Sequence, residues 1–128
     1  MENTSIKLIL KKNVYNIYKL ERELNSNIKG TFFYAKTNDE FSLVCNNKNI
    51  IDNYLEKETG YHMLKIDGIL DFSLVGIIAN ITSILAKEKI SVFVVSTFNT
   101  DYILIKEKFI KLAVKILKNN NFKIQSES

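Results

Sequence analysis

An α+β fold is what this sequence predicts, and three observations predict it. From residue 61 onward, strand-like runs and stretches of helical spacing follow in the order strand, helix, strand, strand, helix, strand. That order is the ferredoxin-like split βαβ pattern, an antiparallel sheet with two helices on one face. Before residue 61 the chain is strand-rich, with β-branched and aromatic runs between polar turns. The whole, 128 residues at 46% hydrophobic and 25% charged, suffices for one compact core or two small halves sharing one. The expected organisation is an N-terminal strand-rich unit, residues 1–60, packed with a C-terminal βαββαβ unit, residues 61–128.

Residues 5–10 (SIKLIL) and 14–20 (VYNIYKL) read as two strands joined by a turn at Lys11, Lys12 and Asn13. Gly30 ends a polar loop or short helical turn. Residues 31–36 and 41–45 flank the polar tetrad Thr37, Asn38, Asp39 and Glu40, which predicts a hairpin. Residues 46–60 are mostly polar and read as a connector. In residues 61–66, His62, Leu64 and Ile66 share one face, with Met63 and Lys65 on the other. Asp71 stands where a helix N-cap belongs, ahead of Leu74, Ile78, Ile81 and Leu85 at helical spacing. Val92 to Val95 form a continuous apolar strand of the kind buried on both faces. After a turn at 99–101, residues 102–105 make another strand. Phe109, Leu112, Ala113, Ile116 and Leu117 then line one face of a second helix, with Lys108, Lys111, Lys115 and Lys118 outside. Asn119 to Asn121 stop that helix before a last strand at 122–125.

The formal net charge of +4 reads as lysines scattered along the chain, with a single arginine, Arg22, and serves solubility. Nucleic-acid binders cluster basic residues and favour Arg, and no RNP-like pattern is present, so no nucleic-acid partner is expected. The one cysteine, Cys45, excludes an intramolecular disulfide and fits a reducing cytoplasm. The N-terminus has no apolar signal region, and the most apolar run, 74–85, is too short to span a membrane.

No chemistry-bearing motif stands out. Asp67 and Asp71 are a close carboxylate pair without the polarised partner or metal that acid–base work needs. His62 is alone, Cys45 sits in an apolar strand, and there is no Walker loop, dinucleotide fingerprint or nucleophile elbow. Non-enzymatic function follows, with no cofactor. Two polar clusters remain. Asp71 reads as a cap, which is compatible with an anion held by the amides from Ser73 to Gly76. Gly76 serves either a close ligand approach or close packing. Ser96, Thr97, Phe98, Asn99, Thr100 and Asp101 read as a turn bonded to its own backbone, or as oxygen acceptors for an ammonium group.

The segments DG-x-LDFSLVGI (67–77), ISVF (90–93) and STFNTDYIL (96–104) resemble the ACT domain family of βαββαβ ligand-sensing modules. The similarity extends to short bacterial proteins with two ACT-like units and to the ACT pairs of cytosolic arginine sensors. KTNDEFSLVC at 36–45 is similar to their N-terminal hairpins. The resemblance implies a regulatory protein that binds an amino acid, or else an ACT scaffold kept for dimerisation and protein contacts. It implies ligand contacts from Asp71, Ser73, Leu74, Val75 and Gly76, strand-edge contacts from Ser91 and Val92, and contacts from Thr97, Phe98 and Asp101. In these roles helix amides hold a carboxylate, acidic and hydroxyl groups hold the amine, and Phe98 is a wall. Ile69 stands where relatives commonly have proline, which implies a less rigid turn. A homodimer, or pairing of the two halves into one composite site, is also implied.

Overall fold

The computed structural model describes residues 6–67 and 76–128. Its elements are β1 (Lys7–Leu20), β2 (Phe32–Lys36), β3 (Phe41–Asn46), β4 (Tyr54–Ile66), α1 (Ile77–Lys87), β5 (Phe93–Ser96), β6 (Asp101–Lys106), α2 (Glu107–Asn119) and β7 (Lys123–Ser126). The chain divides into two compact units, Met1–Lys12 with His62–Ser128, and Asn13–Tyr61. The long strands β1 and β4 each contribute one end to both units.

In the first unit the strands run β7, β1, β4, β6, β5. A plain ferredoxin-like sheet would place the last strand directly beside the first strand of the motif. Here residues 7–10 of β1 lie between them, parallel to β7 in the register Lys7–Lys123 to Leu10–Ser126. On the other side, the Asp67 amide donates to the Lys7 carbonyl at 2.9 Å. The interposed strand earns its place by alternation, because Ile6, Leu8 and Leu10 all pack into the cluster under the helices. The end of β7 is tied down by Glu127, whose carboxylate accepts from Lys11 Nζ at 2.6 Å and the Lys12 amide at 2.8 Å. These two donors hold the Glu127 carboxyl below its ordinary range.

Both helices cover the same sheet face. Leu64 and Ile66 of β4, Ile103 and Ile105 of β6, Ile77, Ile81 and Leu85 of α1, and Ile110, Ala113 and Leu117 of α2 form one buried cluster. The helical residues recur at three and four positions, which puts them on one stripe. Leu112, expected on that stripe, is instead 44% exposed, and Ile110 takes the inner position. Both helices stop in the same way. Lys89 and Asn121 adopt positive φ, and the amides of Ile90 and Phe122 reach back to the carbonyls of Leu85 and Leu117, each at 3.1 Å. The buried Ile90 and Phe122 side chains then close each helix end on the core, as in a Schellman motif.

Three strand expectations change. Lys11, Lys12 and Asn13 make no turn, since β1 continues through them. Nothing in that tripeptide requires positive φ, and the ladder passes from β7 at residues 7–10 to β3 at residues 15–19. Residues 54–60, read as connector, belong to β4; every one from Tyr54 to Thr59 is exposed, so no apolar alternation marked them. Val92 to Val95 are not buried on both faces. Among the described residues β5 is an edge strand, paired only with β6 in the register Phe93–Leu104 to Ser96–Asp101. Val94 is consequently 39% exposed.

The second unit is built on strands alone among its described elements. β2 and β3 form the expected hairpin, and residues 15–19 of β1 pair antiparallel with β3. At the hairpin turn the Thr37 amide donates to the Glu40 carbonyl at 3.0 Å, while Thr37 Oγ1 accepts from the amides of Asp39 and Glu40 at 3.1 Å each. Tyr18, Leu20, Leu43 and Cys45 make a small core, over which the irregular segment after β1 lays Leu24 and Ile28. The Leu24 amide is anchored on the Tyr34 hydroxyl at 3.0 Å. Burial pushes the Cys45 thiol up to about 11, so almost no thiolate is present at neutral pH. An aromatic disulfide reagent at pH 7.5 is therefore expected to label Cys45 only on unfolding. Labelling of the native protein at the rate of a free thiol would contradict that burial.

Candidate functional site

The candidate site lies where β4 ends and β6 begins. The chain leaves β5 at Ser96, turns through residues 97–100 and re-enters the sheet at Asp101. The turn is closed by the Thr97 amide on the Thr100 carbonyl at 2.8 Å, and Thr97 Oγ1 donates to the same oxygen at 3.1 Å. Thr97 is thus bonded to the backbone of its own turn. Phe98 is fully exposed at the tip.

Thr100 is buried, and its hydroxyl donates to the Ile66 carbonyl at 2.8 Å. This bond joins the 97–100 turn to the last residue of β4, immediately before Asp67. The sequence reading singled out no role for Thr100, because a threonine inside a polar run carries no periodic sign of burial. Thr100→Val keeps the shape and leaves the Ile66 carbonyl without this donor. The expected loss is about 1–3 kcal/mol in denaturant unfolding, the usual cost of a buried group deprived of its partner. An unchanged midpoint would show that the bond contributes nothing net.

Asp101 is the unusual member. As a residue it is only 8% exposed, yet among the described residues the one fully buried side-chain polar atom without a hydrogen-bond partner is His62 Nε2, not an oxygen of Asp101. By strand alternation it shares the face of Ile103 and Ile105, the face that carries the helices. Asp67, the neighbouring acid, is instead half-exposed and paired with Lys7 at 3.4 Å. The two carboxylates therefore have different environments, one neutralised at the surface and one buried.

Gly76 occupies the N-cap position of α1 with φ of 91°, and no side chain caps the helix. Among the described residues an added Cβ would meet nothing within 4 Å, and the positive φ by itself calls for glycine. The helix starts at Ile77, and its first α-helical bond runs from the Asn80 amide to the Gly76 carbonyl at 2.8 Å. The amides of Ile77, Ile78 and Ala79 consequently have no partner inside the helix. Among the described residues the N-cap of α1 is Gly76. Asp71, Ser73, Leu74 and Val75 lie outside the described residues.

Ser91 and Val92 are placed elsewhere. They precede β5, at its opposite end from the 97–100 turn, so Val92 and Ser96 are separated by about 13 Å of extended strand. Ser91 is exposed, and Val92 packs partly on the helix-side core. The chain thus brings Thr97, Thr100 and Asp101 together at the end of β4 and leaves Ser91 and Val92 apart from them. His62 is part-buried, with Nε2 at 3.6 Å from a Glu107 carboxylate oxygen. Among the described residues no group of three or more acidic, His or Cys side chains is arranged to hold a metal ion. No helix among them is long and apolar enough to cross a membrane.

Two helices on one face of a sheet, with a polar turn and a buried carboxylate at a strand end, define a small ferredoxin-like α+β module. The sequence matches the ACT domain family over residues 56–119, half of the chain, and the chain belongs to that family. A structural-genomics protein from Agobacterium tumefaciens has the same fold with a TM-score of 0.87 at 27% identity, over 96% of this chain and 94% of its own. Aspartate kinase from Clostridium acetobutylicum, described as an allosteric enzyme, aligns with a TM-score of 0.67 at 17% identity. That alignment spans 94% of this chain and 36% of the kinase. A Vibrio cholerae protein described as a possible transport protein aligns at 0.65 and 14% identity, over 94% of this chain and 91% of its own. No curated protein matches the sequence.

Proposed function

We propose that this chain is a non-catalytic regulatory ACT protein that binds an amino acid, and the observation that carries the reading is Asp101. A carboxylate in so buried a position is costly to keep ionised, and a ligand ammonium group would bring it a counter-charge and donors. The amides at the start of α1, which have no partner inside the helix, suit the ligand carboxylate, and Asp71, Ser73, Leu74 and Val75 would contribute beside them. Membership in the ACT family and the fold shared with an allosteric aspartate kinase support a regulatory role. Similarity over nearly the whole chain, beyond residues 56–119, supports treating the N-terminal unit as ACT-like too, although its described elements include no helix. A cytoplasmic setting agrees with a single, buried cysteine.

A homodimer belongs to this reading. β5 is an open apolar edge, and Phe98 is bare at its end. Ser91 and Val92, remote from Asp101 within one chain, would reach a ligand from a second copy. The same open edge favours the alternative of an ACT scaffold used only for protein contacts. Thermal-shift screening of the protein against the twenty common amino acids, followed by calorimetry, separates the two. One stabilising amino acid with saturable binding is the expected result. No shift with any of them, alongside a dimer that dissociates on Val94→Lys, would replace ligand sensing by assembly alone.

A further inference from the structure

The net charge of this protein is not scattered. Residues 108–126 contain five lysines and no acidic residue, whereas the rest of the chain has thirteen basic and fourteen acidic residues. The whole positive excess therefore resides on α2 and the start of β7. Four of the five lysines, Lys108, Lys111, Lys115 and Lys118, are exposed on α2. At 3.6 residues per turn they fall within an arc of about 80° and extend for about 15 Å along the axis. Among the described residues none of the four is in an ion pair, and Lys108 lies over the Phe109 ring at 5.1 Å. Leu112, the exposed apolar residue of α2, borders this row one turn from both Lys108 and Lys115.

We propose that the outer face of α2 docks an acidic helical segment of a partner protein, with carboxylates on the lysine row and an apolar side chain against Leu112. Three features select that partner. The apolar stripe of α2, Ile110, Ala113 and Leu117, is already buried in the core, so this helix has no face left to insert into a lipid surface. The row contains no arginine and presents no free aromatic ring, the side chains that nucleic-acid readers use for bidentate and stacking contacts. A lone exposed leucine among cations matches an interface with an apolar centre and a charged rim. Lysines held by a helix at regular intervals complement carboxylates spaced three and four residues apart on another helix. This surface is independent of the ligand site and would operate whether or not Asp101 binds an amino acid.

The test uses the full chain and a fluorescent synthetic helix with four glutamates at three- and four-residue spacing around one leucine, followed by anisotropy. Binding that weakens at least about tenfold in Lys111→Glu/Lys115→Glu, and falls with added salt, is expected. Leu112→Ala is expected to weaken it about threefold, whereas a net-charge-matched control, Lys29→Glu/Lys48→Glu, leaves it unchanged. Equal loss in the control would reduce the effect to net charge and overturn the proposal. So would absence of binding, or tighter binding to a DNA duplex or to phosphatidylserine vesicles than to the peptide.

Discussion

Asp101→Asn is expected to raise the melting temperature of the ligand-free protein and to abolish its response to the amino acid that stabilises the wild type. The two effects have one cause. Asp101 is only 8% exposed, so folding withdraws most of an ionised residue from bulk water. The amide is nearly isosteric and uncharged, and stability should rise by about 1 kcal/mol, or about 4 °C in a domain of this size. The ligand ammonium group, in turn, loses its counter-charge. Removing one member of a buried charge pair costs about 2–5 kcal/mol, so binding should weaken at least about thirtyfold. Scanning calorimetry with and without ligand reads both. A variant that melts lower than wild type while still binding would make Asp101 a structural residue and remove the principal support for the sensor reading. The combination of a more stable fold and lost function is the usual mark of a site held ready for a ligand.

The second large effect is expected at Leu117. Leu117→Ala should cost about 2–5 kcal/mol, the range for deleting a fully buried leucine and leaving its cavity. Leu117 is 0% exposed and faces the cluster shared by both helices and three strands. Leu112→Ala, on the same helix at 44% exposure, should shift the denaturation midpoint by no more than about 0.5 kcal/mol. Urea unfolding followed by circular dichroism compares the two directly. Equal sensitivity would mean that α2 is rotated from the orientation described, with Leu112 inward. That outcome would also remove Leu112 from the proposed docking face. The contrast with Thr100→Val is instructive, because there one hydroxyl, not a cavity, is at stake.

Much of this architecture is legible along the chain. Local signals suffice for the 37–40 hairpin turn, whose Thr37 hydroxyl collects two amides, and for the helix faces through Ile81, Leu85, Ala113 and Leu117. The ACT resemblance is carried by contiguous residues, and the family match at 56–119 covers most of them. The candidate site is less legible. Thr97 and Asp101 belong to one polar run, yet Thr97 satisfies itself within the turn and Asp101 is carried under the helices by strand alternation. Residues of similar polarity thus reach opposite environments within four positions.

What the sequence determined by itself is the content of each element: which residues alternate, which recur at helical spacing, where a turn can close, and that the family is ACT. Tertiary structure alone decided who lies beside whom. It made β1 one strand that pairs with β7 and then β3, set β5 at an edge where an apolar run stays half open, and tied Thr100 to Ile66. The physical reason is that periodicity records which side of an element avoids water. Lateral hydrogen bonding between residues as far apart as Lys7 and Lys123 uses backbone groups that every residue has, and so leaves no trace in composition or spacing.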